Sequence, residues 1–239
     1  MRNIFYSVLM IITITVSSGG AQGRDPQQLT RFVVRGEFAA AIDESDRLVA
    51  DFQKLVRSDP DRKDSWTTVH ILEVGYYTCA KAQVLALKGD HRDAELVLKD
   101  AEYYAASHPD EFASALAAAG WKQIVEATRG LILEKEGKRD AARKTYQETD
   151  SEYARGRLAL MSLKEGDEAE ARRLALQDIS EPTADLVLGR LEEKAQNPGT
   201  ARKWYDKAWT QIQTAKNQFM PIYFCEGKAI LEALERLKN

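Results

Sequence analysis

A helix-ending glycine with small residues at fixed distances on either side recurs three times in this chain, and nothing else restricts the fold as strongly. Gly89, Gly137 and Gly166 each follow a helical run. Five residues later comes an alanine: Ala94, Ala142 and Ala171. Seven residues earlier stands another small residue: Ala82, Gly130 and Ala159. Glycine takes the left-handed conformation that ends a helix without steric cost. Small residues on both sides let two helices approach closely. Four positions after the alanine a side chain fills the interface, Leu98, Tyr146 and, more weakly, Ala175. The specified unit is a helical hairpin, and it is repeated.

The rest of the chain agrees with this. No segment alternates apolar and polar residues between turn signals, as a half-buried strand does. Trp121, Ile124, Val125, Leu131 and Ile132 lie on one helical stripe, and Leu186, Val187, Leu188 and Leu191 more loosely on another. Asn197-Pro198 reads as an N-cap with proline at the first helical position. Pro182 opens a further helix, and Thr149 to Glu152 has capping-box spacing. The expected fold is all-α.

These hairpins resemble the tetratricopeptide repeat family, whose pattern is a small residue in the first helix, a turn, and A-x3-F/Y in the second. The best copy runs from Gly130 through Gly137 and Ala142 to Tyr146. A second has Gly189, Ala201, Tyr205 and Ala208, with Asn197-Pro198 in place of the turn glycine. A third has Ala82, Gly89, Ala94, Leu98 and Ala101, and a fourth Ala159, Gly166 and Ala171. Phe32, Gly36, Ala41 and Ile42 suggest an N-terminal hairpin, and residues 220–237, with Gly227 and Ile230, a capping helix. The resemblance implies a right-handed α-solenoid of four to five hairpins plus that cap. The family period is about 34 residues, whereas the turn glycines here are 48 and then 29 apart. An added or lengthened helix is expected within 108–120, and a trimmed second helix over 168–177.

The N-terminus reads as an export signal. Arg2 precedes an apolar run over 4–16 and a small-residue exit, Ser17-Ser18-Gly19-Gly20-Ala21. Cleavage after Ala21 would leave a repeat domain over 22–239, periplasmic or extracellular; an uncleaved anchor is the alternative. Net charge is −3 with acids and bases interspersed, which speaks against a nucleic-acid footprint and a polybasic membrane patch. No membrane insertion is expected once the signal is removed. Cys79 and Cys225 sit among apolar residues on expected helices and read as buried free thiols, the alternative being a bridge that would bring the first and last hairpins within a Cα separation of about 7 Å.

No catalytic constellation emerges, and neither a metal nor a cofactor is expected. His70, His91 and His108 include no pair three or four apart. His91-Arg92-Asp93 imitates a kinase triplet, but Leu98 stands where the asparagine belongs. The carboxylate clusters at 43–46, 134–136 and 165–170 are mixed with bases and read as solvated faces. The resemblance implies instead a concave groove lined by the first helices and holding a protein or peptide partner. It puts Tyr76, Gln83, Leu131, Tyr153, Arg157 and Arg190 there, with Cys79, Ile124, Ala127, Leu160 and Leu186. Cys79 and Gln83 stand where the family's lysine-asparagine clamp would be. Arg157 and Arg190 are read as carboxylate holders or, alternatively, as solvated or paired with Glu192 or Glu193. The expected function is a non-enzymatic interaction scaffold of the cell envelope. An accessory subunit using other surfaces is the next reading, and a helical-toroid envelope enzyme a further one.

Overall fold

A computed structural model describes residues 26–61, 65–113, 115–149, 151–177, 181–214 and 221–238. The expected signal, and Met220 at the start of the expected cap, lie outside the described residues. Among those described, every regular element is a helix. In chain order they are α1 (Pro26–Arg35), α2 (Phe38–Ser58), α3 (Ser65–Lys88), α4 (His91–Ala106), α5 (Pro109–Phe112), α6 (Ala115–Lys135), α7 (Arg139–Glu148), α8 (Glu152–Glu165), α9 (Glu168–Ala175), α10 (Pro182–Lys194), α11 (Pro198–Thr214), α12 (Pro221–Phe224) and α13 (Gly227–Arg236). No described helix is long and apolar enough to cross a membrane.

Consecutive helices pack as hairpins: α1/α2, α3/α4, α6/α7, α8/α9 and α10/α11. One backbone device closes all five. Gly36, Gly89, Gly137 and Gly166 have φ of 75°, 101°, 85° and 88°, and Gln196 takes the fifth place at 59°. The amide of the following residue donates to the carbonyl five residues back: Glu37 to Phe32, Asp90 to Leu85, Lys138 to Leu133, Asp167 to Ser162 and Asn197 to Glu192, all at 2.8–3.0 Å. This is the Schellman bond that satisfies a helix's last carbonyls. Five residues past each turn residue stand Ala41, Ala94, Ala142, Ala171 and Ala201, all fully buried at the hairpin seam.

From α3/α4 onward the hairpins stack through their first helices, with α3 against α6, α6 against α8, and α8 against α10, whereas the first hairpin packs on α3 through its second helix, α2. The irregular period has a local cause. In the long gap, α5 and an α6 of 21 residues bring Phe112 and Trp121 onto Gly75 of α3. Their ring centroids are 4.9 Å apart, edge to face, and Trp121 also leans on Tyr76 at 5.9 Å. Where the gap is short, α9 has only 8 residues.

Two sequence expectations change. Thr149 caps the end of α7, and the N-cap of α8 is Ser151, whose hydroxyl accepts from the Ala154 amide at 3.2 Å. The C-terminal segment is two helices, α12 and α13, broken at Cys225-Glu226. α13 packs on α11 and α1, and α12 reaches α1, α3, α6 and α10. The ends of the array therefore meet: a Cβ on Gly227 would lie 2.7 Å from Val34.

Candidate functional site

The inner face of the array is built by α3, α6, α8 and α10, and α12 lies on it. Its polar groups form an ordered row. Thr128 on α6 donates to its own helix at the Ile124 carbonyl, 2.7 Å. The Gln83 side-chain amide on α3 donates to Thr128 Oγ1, also at 2.7 Å. That fixes the Gln83 carbonyl oxygen, which accepts from the backbone N–H of Ile222 at 2.9 Å. A side-chain amide thus reads the main chain of the closing segment.

One turn beyond Tyr153 on α8, Arg157 is completely buried. Its Nε and Nη2 donate to the two oxygens of Glu134 on α6, at 3.0 and 2.6 Å. Nη1 donates to Glu226 at 2.7 Å and to Cys225 Sγ at 3.3 Å. The Tyr146 hydroxyl adds a bond to Glu134 at 3.2 Å, and Lys164 stands 3.7 Å from the same carboxylate. Burial pushes the Glu134 carboxyl up, but Arg157's charge and hydrogen bonds, with Lys164 and Lys135 behind, outweigh it and hold it at about 2. For Glu226, burial is likewise outweighed by Arg157, so its carboxyl lies below the usual range. Burial raises Tyr146 well above an ordinary phenol, with the Glu134 charge adding to it. The Cys225 thiol is pushed up to about 12 by burial, against the pull of Arg157. A thiol held there is protonated and inert as a nucleophile at neutral pH.

A second buried polar group opens α10. Glu181, with no exposed surface, is the N-cap and accepts from the Ala184 amide at 2.7 Å. Its other oxygen meets no hydrogen-bond partner among the described residues. Gly156 of α8 makes room for it, since a Cβ there would fall 2.1 Å from Glu181 Oε2. Burial lifts this carboxyl to about 8, despite the Ala184 and Thr183 amides and Arg157. One turn on, Asp185 is also fully buried, and Lys207 donates to it at 3.0 Å. Burial still takes it to about 6.

The residues expected to line an open groove meet a different fate. Gln83, Leu131 and Arg157 have no exposed surface, and Tyr76 is buried, its hydroxyl raised to about 12 by burial. Tyr153 is partly buried, and Tyr223 of α12 meets it edge to face at 5.5 Å. Arg190 is half-exposed and flanks Tyr205. All six lie on the first helices, as the register predicts. Four of them are interior: residues 222–226 meet Gln83 and Arg157, Tyr76 packs on Trp121 of α6, and Leu131 lies within the core. Arg157 pairs with Glu134 and Glu226, not with Glu192 or Glu193. Glu134 and Glu44, expected in solvated clusters, are nearly buried ion-pair partners of Arg157 and Arg47.

Sequence reasoning passed over Glu134, Thr128, Glu226 and Glu181. A signal for Glu134 existed: Gly130-x3-Glu134 with Tyr146 twelve further on is repeated as Gly189-x3-Glu193 with Tyr205 at the same spacing. Cys79 and Cys225 are free thiols. Among the described residues, no three His, Cys, Asp or Glu side chains converge as a metal site. Compared with known proteins, the chain matches no family model, and no curated protein is similar to it.

Proposed function

We propose that this chain is an exported, non-catalytic helical-repeat module of tetratricopeptide type that holds a polypeptide partner of the cell envelope on its inner face. One observation carries the reading. The inner face offers a Gln83 carbonyl aimed by Thr128 and an Arg157 guanidinium aimed by Glu134, and these engage a backbone N–H and a carboxylate. Such groups recognise a polypeptide by its main chain and by one acidic side chain. The acids Glu134 and Glu226 are engaged by Arg157, and the Cys225 thiol is pushed up to about 12.

Affinity capture from envelope extract tests it, using residues 22–239 and a variant altered at the two less buried inner-face positions, Tyr153→Ala with Arg190→Glu. The expected result is a protein retained by the parent and lost by the variant, with the variant's thermal melt still cooperative. Retention of nothing specific would sink the reading.

A second reading has its own observation. Leu96 and Tyr103, seven residues apart on one stripe of α4, are 51% and 77% exposed. That apolar pair on an outer helix suits an accessory subunit that docks through its convex side. A protein kept by the inner-face variant but lost on Leu96→Ser with Tyr103→Ser would favour it.

A further inference from the structure

We infer that residues 221–226 are a built-in occupant of the inner face, and that a partner segment of the same chemistry replaces them there. This rests on the scaffold reading and adds what is bound and how binding is restrained. The segment is held the way a ligand is held. At its start, the Ile222 amide is read by Gln83. Along its middle, Ile222, Tyr223 and Phe224 are buried, with the Tyr223 ring against Tyr153. At its end, Glu226 takes Nη1 of Arg157.

The host groups do not depend on the guest. Without the segment, Arg157 keeps its two-pronged pair with Glu134, so no buried cation is left uncompensated. Gln83 keeps Thr128, which continues to orient it. To the occupant Arg157 gives its Nη1, and Gln83 gives its amide oxygen. A face preorganised independently of what covers it gains affinity for any segment that fits. The Gln83 contact is to main chain and so accepts other sequences. The Arg157 contact demands a carboxylate, and the Tyr153 contact favours a ring. The occupant is thus a polypeptide segment with an apolar-aromatic stretch and, three residues past the ring, an acidic side chain, as Tyr223 stands to Glu226.

Because the resident segment is tethered, it competes at an effective concentration on the order of millimolar. Partner affinity is reduced by the fraction of time the face is covered. Weakening the resident contacts must therefore tighten binding in trans.

The test uses residues 22–239 and a fluorescent peptide with the sequence of 221–230, followed by anisotropy. The hosts are the parent and Tyr223→Ala with Glu226→Gln. The altered host should bind the peptide about tenfold more tightly than the parent does. Replacing the peptide's own glutamate by glutamine should cost about tenfold. Equal affinity for both folded hosts, or no binding to either, overturns the inference. Should the altered host fail to melt cooperatively, hydrogen exchange on the parent decides: saturating peptide must speed exchange at the Ile222 amide while the α3 and α8 amides stay protected. Unchanged exchange at Ile222 overturns the inference. The two readings fail separately. A captured envelope protein that the peptide cannot displace leaves the scaffold standing and removes this inference. Peptide exchange without any captured protein does the reverse.

Discussion

The hairpins α6/α7 and α10/α11 contain one packing module in two electrostatic settings. In the first, Gly130 lies under the Tyr146 ring, and Tyr146 donates to Glu134 one turn along. In the second, Gly189 lies under Tyr205, which donates to Glu193. Both glycines are needed for the same reason, since an added Cβ would come within 2.4 Å and 2.3 Å of the ring carbons. The cation that completes each module differs. Glu134 meets Arg157, with no exposure, whereas Glu193 meets Arg236, 59% exposed and 3.2 Å away. Close packing is repeated by the fold; the charge chemistry is placed once, where the chain's end closes over the inner face.

The largest expected effect comes from removing each cation. Arg157→Met leaves the nearly buried Glu134 and the half-buried Glu226 without their counter-charge and should cost about 3–5 kcal/mol in urea unfolding. Arg236→Met removes a solvent-screened pair and should cost below about 1 kcal/mol. Equal losses would mean that burial does not separate the two modules.

Buried carboxyls with and without a cation extend the contrast to pH. Glu134 beside Arg157 is held at about 2, and Glu181, facing Gly156 with one oxygen that has no hydrogen-bond partner among the described residues, is lifted to about 8. A depressed carboxyl contributes stability above its unfolded value, lost as pH falls toward the folded one. A raised carboxyl acts oppositely, binding more protons folded than unfolded, so stability drops as pH rises from its unfolded value to about 8. The parent should therefore lose stability below about pH 4.5 through Glu134. It should lose stability again as pH rises toward 8 through Glu181, which contributes a slope of at most about 1.4 kcal/mol per pH unit, with Asp185 adding to the loss up to about pH 6. Glu181→Gln still accepts from the Ala184 amide and should flatten the upper slope alone. A variant with the parent's slope between about pH 6 and 8, above the Asp185 range, would assign that slope to other groups.

Where the two modules are the same, they should break alike. Gly130→Ala and Gly189→Ala each force a methyl into a tyrosine ring and should cost about 1–3 kcal/mol apiece. Pairing each with Tyr→Leu on the facing helix should recover part of the loss. If Gly130→Ala were far more damaging than Gly189→Ala, the Arg157 cluster would be sensing the Tyr146 displacement, and packing and charge would be coupled after all.

The architecture was largely legible because its signals are local. A turn glycine with an alanine five residues on states both the backbone conformation and the seam contact, and Gly36/Ala41, Gly89/Ala94, Gly137/Ala142 and Gly166/Ala171 all behave so. The trimmed α9 and the extra α5 also follow from glycine spacing. The inner face was legible only in part. Register puts Gln83 and Arg157 on first helices, but what covers them arrives 139 residues later for Gln83 and 69 for Arg157. Periodicity carries no information at that range. Glu134 was misread for a related reason: among Lys135, Glu136 and Lys138 it looks solvated, and only its place one turn past Gly130 points it at Tyr146 and Arg157.

The smallest effect concerns the turn that lacks its glycine. Gln196 holds the left-handed position of α10/α11 that glycine holds in the other four hairpins. A side chain there costs about 1 kcal/mol in strain, partly offset because glycine would lose more chain entropy on folding. Gln196→Gly should therefore stabilise the chain by about 0.5 kcal/mol, read as a small rise in thermal midpoint. The reciprocal change, Gly137→Gln, should destabilise α6/α7 by a similar amount, because a Cβ at Gly137 meets nothing within 4 Å and only backbone strain is at stake. Opposite and nearly equal shifts would show that the two hairpins share one turn energetics. A loss of stability on Gln196→Gly would show instead that the glutamine side chain contributes more to this turn than its strained backbone costs.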